Sequence, residues 1–202
     1  MRKLTLTLII LCGFIAVGYT QSKEISPFQA FLNARTMQAN FIQENHYPGI
    51  DNYSFSGRVY IARPVQALWD YITPEEYYLI SPTELFHYNA ELKQATKMKI
   101  RADSEDLSGL LLGVFIDSKT LYNDFTVKDE GLKIILTPKK NVGVENIVIT
   151  MAEKSMILES IYTEDFSGNS IRITFSGVEQ NVPIDGTVFN KKPPQGTEYF
   201  EQ

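Results

Sequence analysis

The chain has very few of the residues from which catalytic and metal centres are built. Its 202 residues include one cysteine and two histidines. One cysteine excludes a disulfide-stapled scaffold, and these three residues cannot complete a Cys/His zinc site. A formal net charge of −5 argues against a basic nucleic-acid-binding surface. Phosphate-binding glycine motifs and the nucleophile elbow of hydrolases are also missing. These absences favour a compact protein that is not an enzyme, with no metal and no cofactor.

The one long apolar run lies at the N-terminus. Two basic residues precede an uncharged apolar run over residues 4–17, and small residues follow it. This pattern predicts a cleaved signal peptide over residues 1–20, with cleavage near residues 18–20, and a single exported domain over residues 21–202. Two alternatives stay open. The run is a membrane anchor, although it is short for a span, or it is a lipoprotein signal that uses Cys12.

Two segments have the periodicity of short amphipathic helices. Ser26 suits an N-cap and Pro27 the first helical position, so a helix of about three turns begins there. Its apolar face carries Phe28, Phe31 and Leu32, with Arg35 one turn further on. The second predicted helix covers residues 104–115, with acidic residues in its first turn. Its apolar face carries Leu107, Leu110, Leu111, Val114 and Phe115.

Most of the remaining chain alternates between apolar and polar residues, as a half-buried strand does. Residues 53–63 place Phe55, Val59 and Ile61 on one face, and later runs do the same with Ile134, Ile149, Ile173 and Phe175. Turn signals separate about ten or eleven such short strands, and the close spacing favours antiparallel neighbours. The sequence therefore predicts a large, curved antiparallel sheet with short helices.

Arg63 departs from the pattern of its own strand. The alternation places its guanidinium on the same face as the apolar residues of 53–63, just before Pro64. A buried guanidinium requires hydrogen-bond acceptors, because an unpaired buried charge costs several kcal/mol. Two interpretations stay open: the side chain reaches water at the end of the strand, or it bonds to helix or loop carbonyls above the apolar face.

Five segments resemble, in the same order, motifs of the LolA family of periplasmic carriers of outer-membrane lipoproteins. They are residues 37–43 (MQANFIQ), 57–69 (GRVYIARPVQALW), 88–95 (YNAELKQA), 136–139 (LTPK) and 193–197 (PPQGT). Each motif is short, but the five together extend over most of the chain. The resemblance implies a mainly β (α+β) fold, an unclosed antiparallel β-barrel of about 11 strands with a lid of short α-helices over its concave apolar face.

The same resemblance implies a function. The expected protein is a monomeric periplasmic shuttle that binds the acyl chains of lipoproteins released from the inner membrane by an ABC transporter and delivers them to an outer-membrane receptor. Arg63 would be the latch of the lid. The candidate cavity residues are Phe28, Phe31, Leu32, Phe55, Val59, Ile61, Leu110, Leu111, Phe115, Ile134, Ile149, Ile173 and Phe175. The alternative is a periplasmic lipoprotein or lipid sensor of the same fold that acts in signalling.

Overall fold

The computed structural model describes residues 25–99, 115 and 118–201. Within these residues, two α-helices, α1 (Pro27–Asn33) and α2 (Ser118–Asp124), and a 3-10 helix (Gly186–Asn190) accompany twelve strands. The strands are β1 (Thr36–His46), β2 (Tyr53–Ala62), β3 (Gln66–Thr73), β4 (Glu76–Ile80), β5 (Glu84–Asn89), β6 (Gln94–Lys99), β7 (Phe125–Asp129), β8 (Lys133–Pro138), β9 (Val144–Met151), β10 (Leu158–Asp165), β11 (Ser170–Gln180) and β12 (Glu198–Glu201).

All twelve strands form one sheet in the order β12-β6-β5-β4-β3-β2-β1-β11-β10-β9-β8-β7. The order begins and ends with different strands, so the sheet is open, and the predicted mainly β, unclosed architecture is confirmed. Every neighbouring pair is antiparallel except β12 and β6, which run parallel. Strand β12 was not predicted, because its four residues are all exposed and therefore carry no pattern of alternating burial.

The helices differ from their predictions in extent and position. Ser26 accepts a hydrogen bond from the amide of Gln29, as a capping residue does. The helix then makes only two turns, because Ala34 already has extended backbone and Arg35 is exposed. The predicted helix 104–115 lies outside the described residues, apart from Phe115, which is helical and buried. No helix in the described part of the chain is long and apolar enough to span a membrane.

Both faces of the sheet carry apolar clusters. The larger cluster fills the concave face and includes apolar residues of α1. A smaller cluster on the convex face comprises Leu68, Tyr77, Tyr88, Ala95 and Phe189. Phe189 belongs to the 3-10 helix of the C-terminal segment, so that segment covers part of the convex face. Burial on both sides distinguishes this part of the sheet from an ordinary half-exposed antiparallel sheet.

Candidate functional site

The concave face of the sheet is a continuous apolar surface. Alternate residues of each strand point to it, and the strand register aligns them into rows, as with Ala39, Val59 and Trp69 on three neighbouring strands. Ten of the predicted cavity residues belong to its buried cluster: Phe28, Phe31, Leu32, Val59, Ile61, Phe115, Ile134, Ile149, Ile173 and Phe175. The structure therefore brings together residues that lie far apart in the sequence.

Three predicted residues stand apart from that cluster. Phe55 is only partly buried and packs edge-on against Tyr53 and Tyr71 at the border of the face. Leu110 and Leu111 lie outside the described residues. Sequence reasoning also missed several buried members of the cluster, although period-two alternation marks most of them: Met37, Phe41, Trp69, Leu136, Ile147 and Met151.

Aromatic rings meet at the centre of the concave face around Trp69. Its ring centroid lies 5.1 Å from that of Phe41, 5.4 Å from that of Phe115 and 6.1 Å from that of Phe175, and all three pairs meet edge to face. Phe115 in turn contacts Phe31 of α1 with a centroid distance of 6.0 Å. These contacts connect the helix to the sheet through aromatic side chains, which bury large areas with few rotatable bonds.

Helix α1 lies across the concave face and buries Phe28, Phe31 and Leu32 against it. Its N-terminal end is bonded to the far side of the sheet. Ser26 Oγ donates to Asp129 Oδ2 of β7 at 2.8 Å, and Gln29 Nε2 donates to the hydroxyl of Tyr122 in α2 at 2.7 Å. Both bonds are solvent-exposed, so each adds little to stability.

Arg63, directly after β2, bonds to the C-terminal end of the same helix. Its Nη1 donates to the carbonyl oxygens of Phe31 at 3.1 Å and Ala34 at 2.9 Å. Its backbone amide also donates to the carbonyl of Arg35 at 2.8 Å. Unpaired carbonyls at a helix C-terminus carry partial negative charge, so a cation is favoured there. Of the two interpretations of Arg63, the geometry matches the one in which it bonds to helix and loop carbonyls.

The rest of the Arg63 guanidinium is less well satisfied. Nε and Nη2 are buried and have no hydrogen-bond partner within the described residues. The guanidinium carbon lies 4.7 Å from the centroid of the Phe31 ring, which provides a cation–π contact. Burial lowers the pKa of Arg63 to about 10. Desolvation of the guanidinium therefore opposes the contacts that Arg63 makes with α1.

The concave face becomes polar at the end away from α1. Tyr71 donates its hydroxyl hydrogen to Gln43 Oε1 at 2.8 Å, and Gln43 Nε2 donates to Asn45 at 3.0 Å. Tyr78 stacks on His87, whose Nε2 lies 3.1 Å from a carboxylate oxygen of Glu76. Burial raises the pKa of the Tyr71 phenol above its usual value. Burial also raises the pKa of Tyr78, to about 12. The face therefore changes from hydrocarbon to hydrogen-bonding groups along the strands.

Each of the two histidines is paired with a neighbouring side chain. His87 pairs with Glu76, and the other histidine, His46, has its Nδ1 2.6 Å from Asn52 Oδ1. No hydroxyl nucleophile bonds to either ring among the described hydrogen bonds. Residues 25–99, 115 and 118–201 also contain no cluster of His, Cys, Asp and Glu that could hold a metal ion.

The family model described as "Outer membrane lipoprotein carrier protein LolA" matches residues 32–192. The chain belongs to the LolA family. Two relatives of this LolA family member match nearly its whole length. An outer-membrane lipoprotein carrier protein of Methylococcus capsulatus is 26% identical over 204 residues, covering 96% of both chains. One from Vibrio cholerae is 28% identical over 202 residues, again covering 96% of each.

Solved structures support the fold of this LolA family member. An uncharacterized conserved protein from Thermus thermophilus superposes with a TM-score of 0.53 at 10% identity, covering 87% of this chain and 95% of its own. A DUF1329 family protein from Desulfovibrio piger gives a TM-score of 0.50 at 12% identity, covering 80% and 92%. The LolA match includes Arg63, Trp69 and all but the last of the strands, whereas Phe28 and Phe31 precede it.

Proposed function

We propose that this protein is a periplasmic, non-enzymatic carrier that shelters the acyl chains of lipoproteins between α1 and the concave face of the sheet. One observation carries the proposal. The concave face of an open sheet is apolar across its width and is covered in part by a helix of seven residues. Membership of a family whose relatives are named outer-membrane lipoprotein carrier proteins supports the same function.

The energetics of hydrocarbon define what such a carrier must do. Each buried CH2 group contributes about 0.8 kcal/mol, so a chain of about 16 carbons gains on the order of 13 kcal/mol on transfer from water. Two or three such chains would never leave a rigid apolar site. A cover that closes in the empty state opposes retention, because the apolar surface between helix and sheet is then buried by the protein itself.

Arg63 is the latch in this proposal. In the closed state it donates to the carbonyls of Phe31 and Ala34 and lies over the Phe31 ring. Entry of acyl chains displaces α1 and breaks these contacts, and their recovery favours release of the cargo. The latch thus lowers the affinity for lipid without contacting the lipid. As a result, the release of cargo costs less free energy.

Loading and unloading require partners at both membranes. An inner-membrane ABC transporter would supply the energy that extracts the lipoprotein, and an outer-membrane receptor with a still more favourable site would accept it. The carrier itself works as a monomer. The name of the relatives supports lipoprotein as the cargo, and the proposed export by a signal peptide over residues 1–20 would place the protein between the two membranes.

The proposal is tested by measuring whether the protein releases a lipoprotein from spheroplasts. The purified chain from residue 21 onward is added to spheroplasts that contain a competent transporter, with the LolA protein of the same strain as positive control. We expect a soluble one-to-one complex with a triacylated lipoprotein. Absence of release by a folded chain, beside release by the positive control, would contradict the proposal.

A matched pair of variants localises the binding to the concave face. Phe55→Ser changes the border of that face, while Ile42→Ser changes a residue that is 52% exposed on the convex face of the neighbouring strand. We expect Phe55→Ser to reduce the amount of lipoprotein released several-fold and Ile42→Ser to leave it unchanged. Equal effects of the two substitutions would argue against acyl binding at the concave face.

A further inference from the structure

The indole N–H of Trp69 is a buried donor without an acceptor. The side chain is only 4% exposed and lies at the middle of β3, in register with Val59 on one side and Tyr78 on the other. Its Nε1 has no hydrogen-bond partner within the described residues. Buried tryptophan N–H groups usually find a partner, and each exception requires an explanation.

Packing does not explain the choice of tryptophan. The rings that surround Trp69 belong to Phe41, Phe115 and Phe175, and none of them offers an oxygen acceptor. A phenylalanine would fill an aromatic position in this cluster without burying an unpaired donor. Tyr71, two residues along the same strand, provides the contrast, because its hydroxyl is satisfied by Gln43 at 2.8 Å. The unpaired donor thus lies inside the apolar part of the face.

We infer that the Trp69 Nε1–H donates a hydrogen bond to an ester carbonyl of the cargo's acyl chains. This inference rests on the proposed carrier function. An acyl ester suits the position because its chain is pure hydrocarbon, while its carbonyl oxygen accepts a hydrogen bond and demands no donor in return. Trp69 is therefore a specificity-determining residue, and the preferred ligands are lipids with ester-linked chains rather than alkyl ethers.

The inference is tested with two synthetic lipopeptides that differ only in their carbonyl groups. One carries an S-(2,3-diacyloxypropyl)cysteine, and the other is the dialkyl ether of the same chain length and peptide. We expect the wild-type chain to bind the diester about tenfold more tightly than the ether, because one buried hydrogen bond contributes an affinity difference of about that size. We expect Trp69→Phe to bind the two lipopeptides equally. Phe175→Leu, a matched change in the same cluster, should weaken both and keep the preference.

A second measurement needs no variant. Trp69 is the single tryptophan of the chain, so a ¹H–¹⁵N correlation spectrum contains one indole signal. Binding of the diester should move that proton downfield, as a new hydrogen bond does, and binding of the ether should not.

The possible results separate the two proposals. Equal affinity of the wild type for ester and ether, or an equal shift of the indole proton with both, would overturn the inference while leaving the carrier function intact. Failure of the folded chain to bind either lipopeptide would overturn both. A preference that persists in Trp69→Phe would assign the ester contact to another residue and contradict the role of Trp69.

Discussion

Arg63 and Phe31 contact each other twice. Nη1 of Arg63 donates to the Phe31 carbonyl oxygen at 3.1 Å, and its guanidinium carbon lies 4.7 Å from the centroid of the Phe31 ring. A planar guanidinium satisfies both contacts at once, whereas a lysine ammonium provides a single point charge. The backbone and the side chain of one helical residue are therefore both held by Arg63, the residue directly after β2.

We expect Arg63→Leu to produce a folded carrier that accepts lipoprotein but passes it on slowly. Loss of two charge-assisted hydrogen bonds weakens the closed state, so cargo is retained more tightly and the transfer rate falls about tenfold or more. Transfer from the isolated complex to outer-membrane vesicles measures this. Arg58→Leu, on an exposed arginine of the preceding strand β2, is the control. Normal transfer by the Arg63 variant would remove the latch from the mechanism.

Buried tyrosines should make the fold sensitive to alkali. Burial raises the pKa of Tyr71, Tyr77 and Tyr78 in the folded state, that of Tyr78 to about 12. The unfolded chain therefore loses these protons first. Their contribution to stability is complete below pH 10 and falls as the pH rises toward 12, by up to about 1.4 kcal/mol per pH unit and group. Arg63 opposes this trend, since burial lowers its pKa to about 10.

Urea unfolding at several pH values between 8 and 11.5, followed by the fluorescence of the single tryptophan, measures the effect. We expect Tyr71→Phe to make the loss of stability with pH less steep. Phe55→Leu, which removes packing beside Tyr71 but no ionisable group, should lower stability equally at every pH. A pH dependence that is the same in the wild type and in Tyr71→Phe would contradict the prediction.

Gly57 occupies a position where no side chain fits. A Cβ atom there would lie 2.3 Å from the backbone oxygen of Asp70 and 2.7 Å from Cζ of Phe41. We expect Gly57→Ala to lower the free energy of unfolding by about 3 kcal/mol, because the strand and the ring must both move. Gly186→Ala provides the control, since nothing lies within 4 Å of its added Cβ. Similar urea midpoints for the two variants would show that β2 accommodates the methyl group.

The C-terminal segment should detach when Phe189 is truncated. Phe189 is 6% exposed against the convex face, and the neighbouring Lys191 pairs with Asp70 and lies 4.9 Å from the centroid of the Tyr77 ring. We expect Phe189→Ala to cost about 3 kcal/mol and to open the Lys191 peptide bond to trypsin. Mass spectrometry of the digest measures this. Phe166→Ala, on a ring that is 73% exposed, should leave the digest unchanged.

Much of the site follows from local patterns in the sequence. Period-two alternation in β2 identified Val59 and Ile61 as inward residues, and the exception to that alternation identified Arg63. Trp69 was missed because β3 is buried on both faces. Ala67 and Trp69 face the concave cluster, while Leu68 between them is covered by the C-terminal segment. Three consecutive residues are therefore apolar, and the sequence shows no alternation of apolar and polar residues there.

Other features depend on contacts between distant segments. The parallel pairing of β12 with β6 joins residues about a hundred positions apart, and its four exposed residues have no pattern of their own. Helix α2 has only seven residues, which is too short for a helix that is stable on its own. Its helical structure is explained by packing, because Leu121 is buried in the concave cluster. The hydrogen-bond partners of Arg63 are likewise backbone carbonyls, which every sequence contains.

Helix α1 is attached to two parts of one sheet. Arg63 holds its C-terminal end next to β2, near the middle of the strand order, and Asp129 holds its N-terminal end at β7, the last strand. A closed barrel changes its width only by breaking strand-to-strand hydrogen bonds, whereas an open sheet can uncurl with its ladders intact. In the carrier that we propose, undocking of the helix would therefore also free the curvature of the sheet, and the internal volume would adjust to the number and length of the acyl chains.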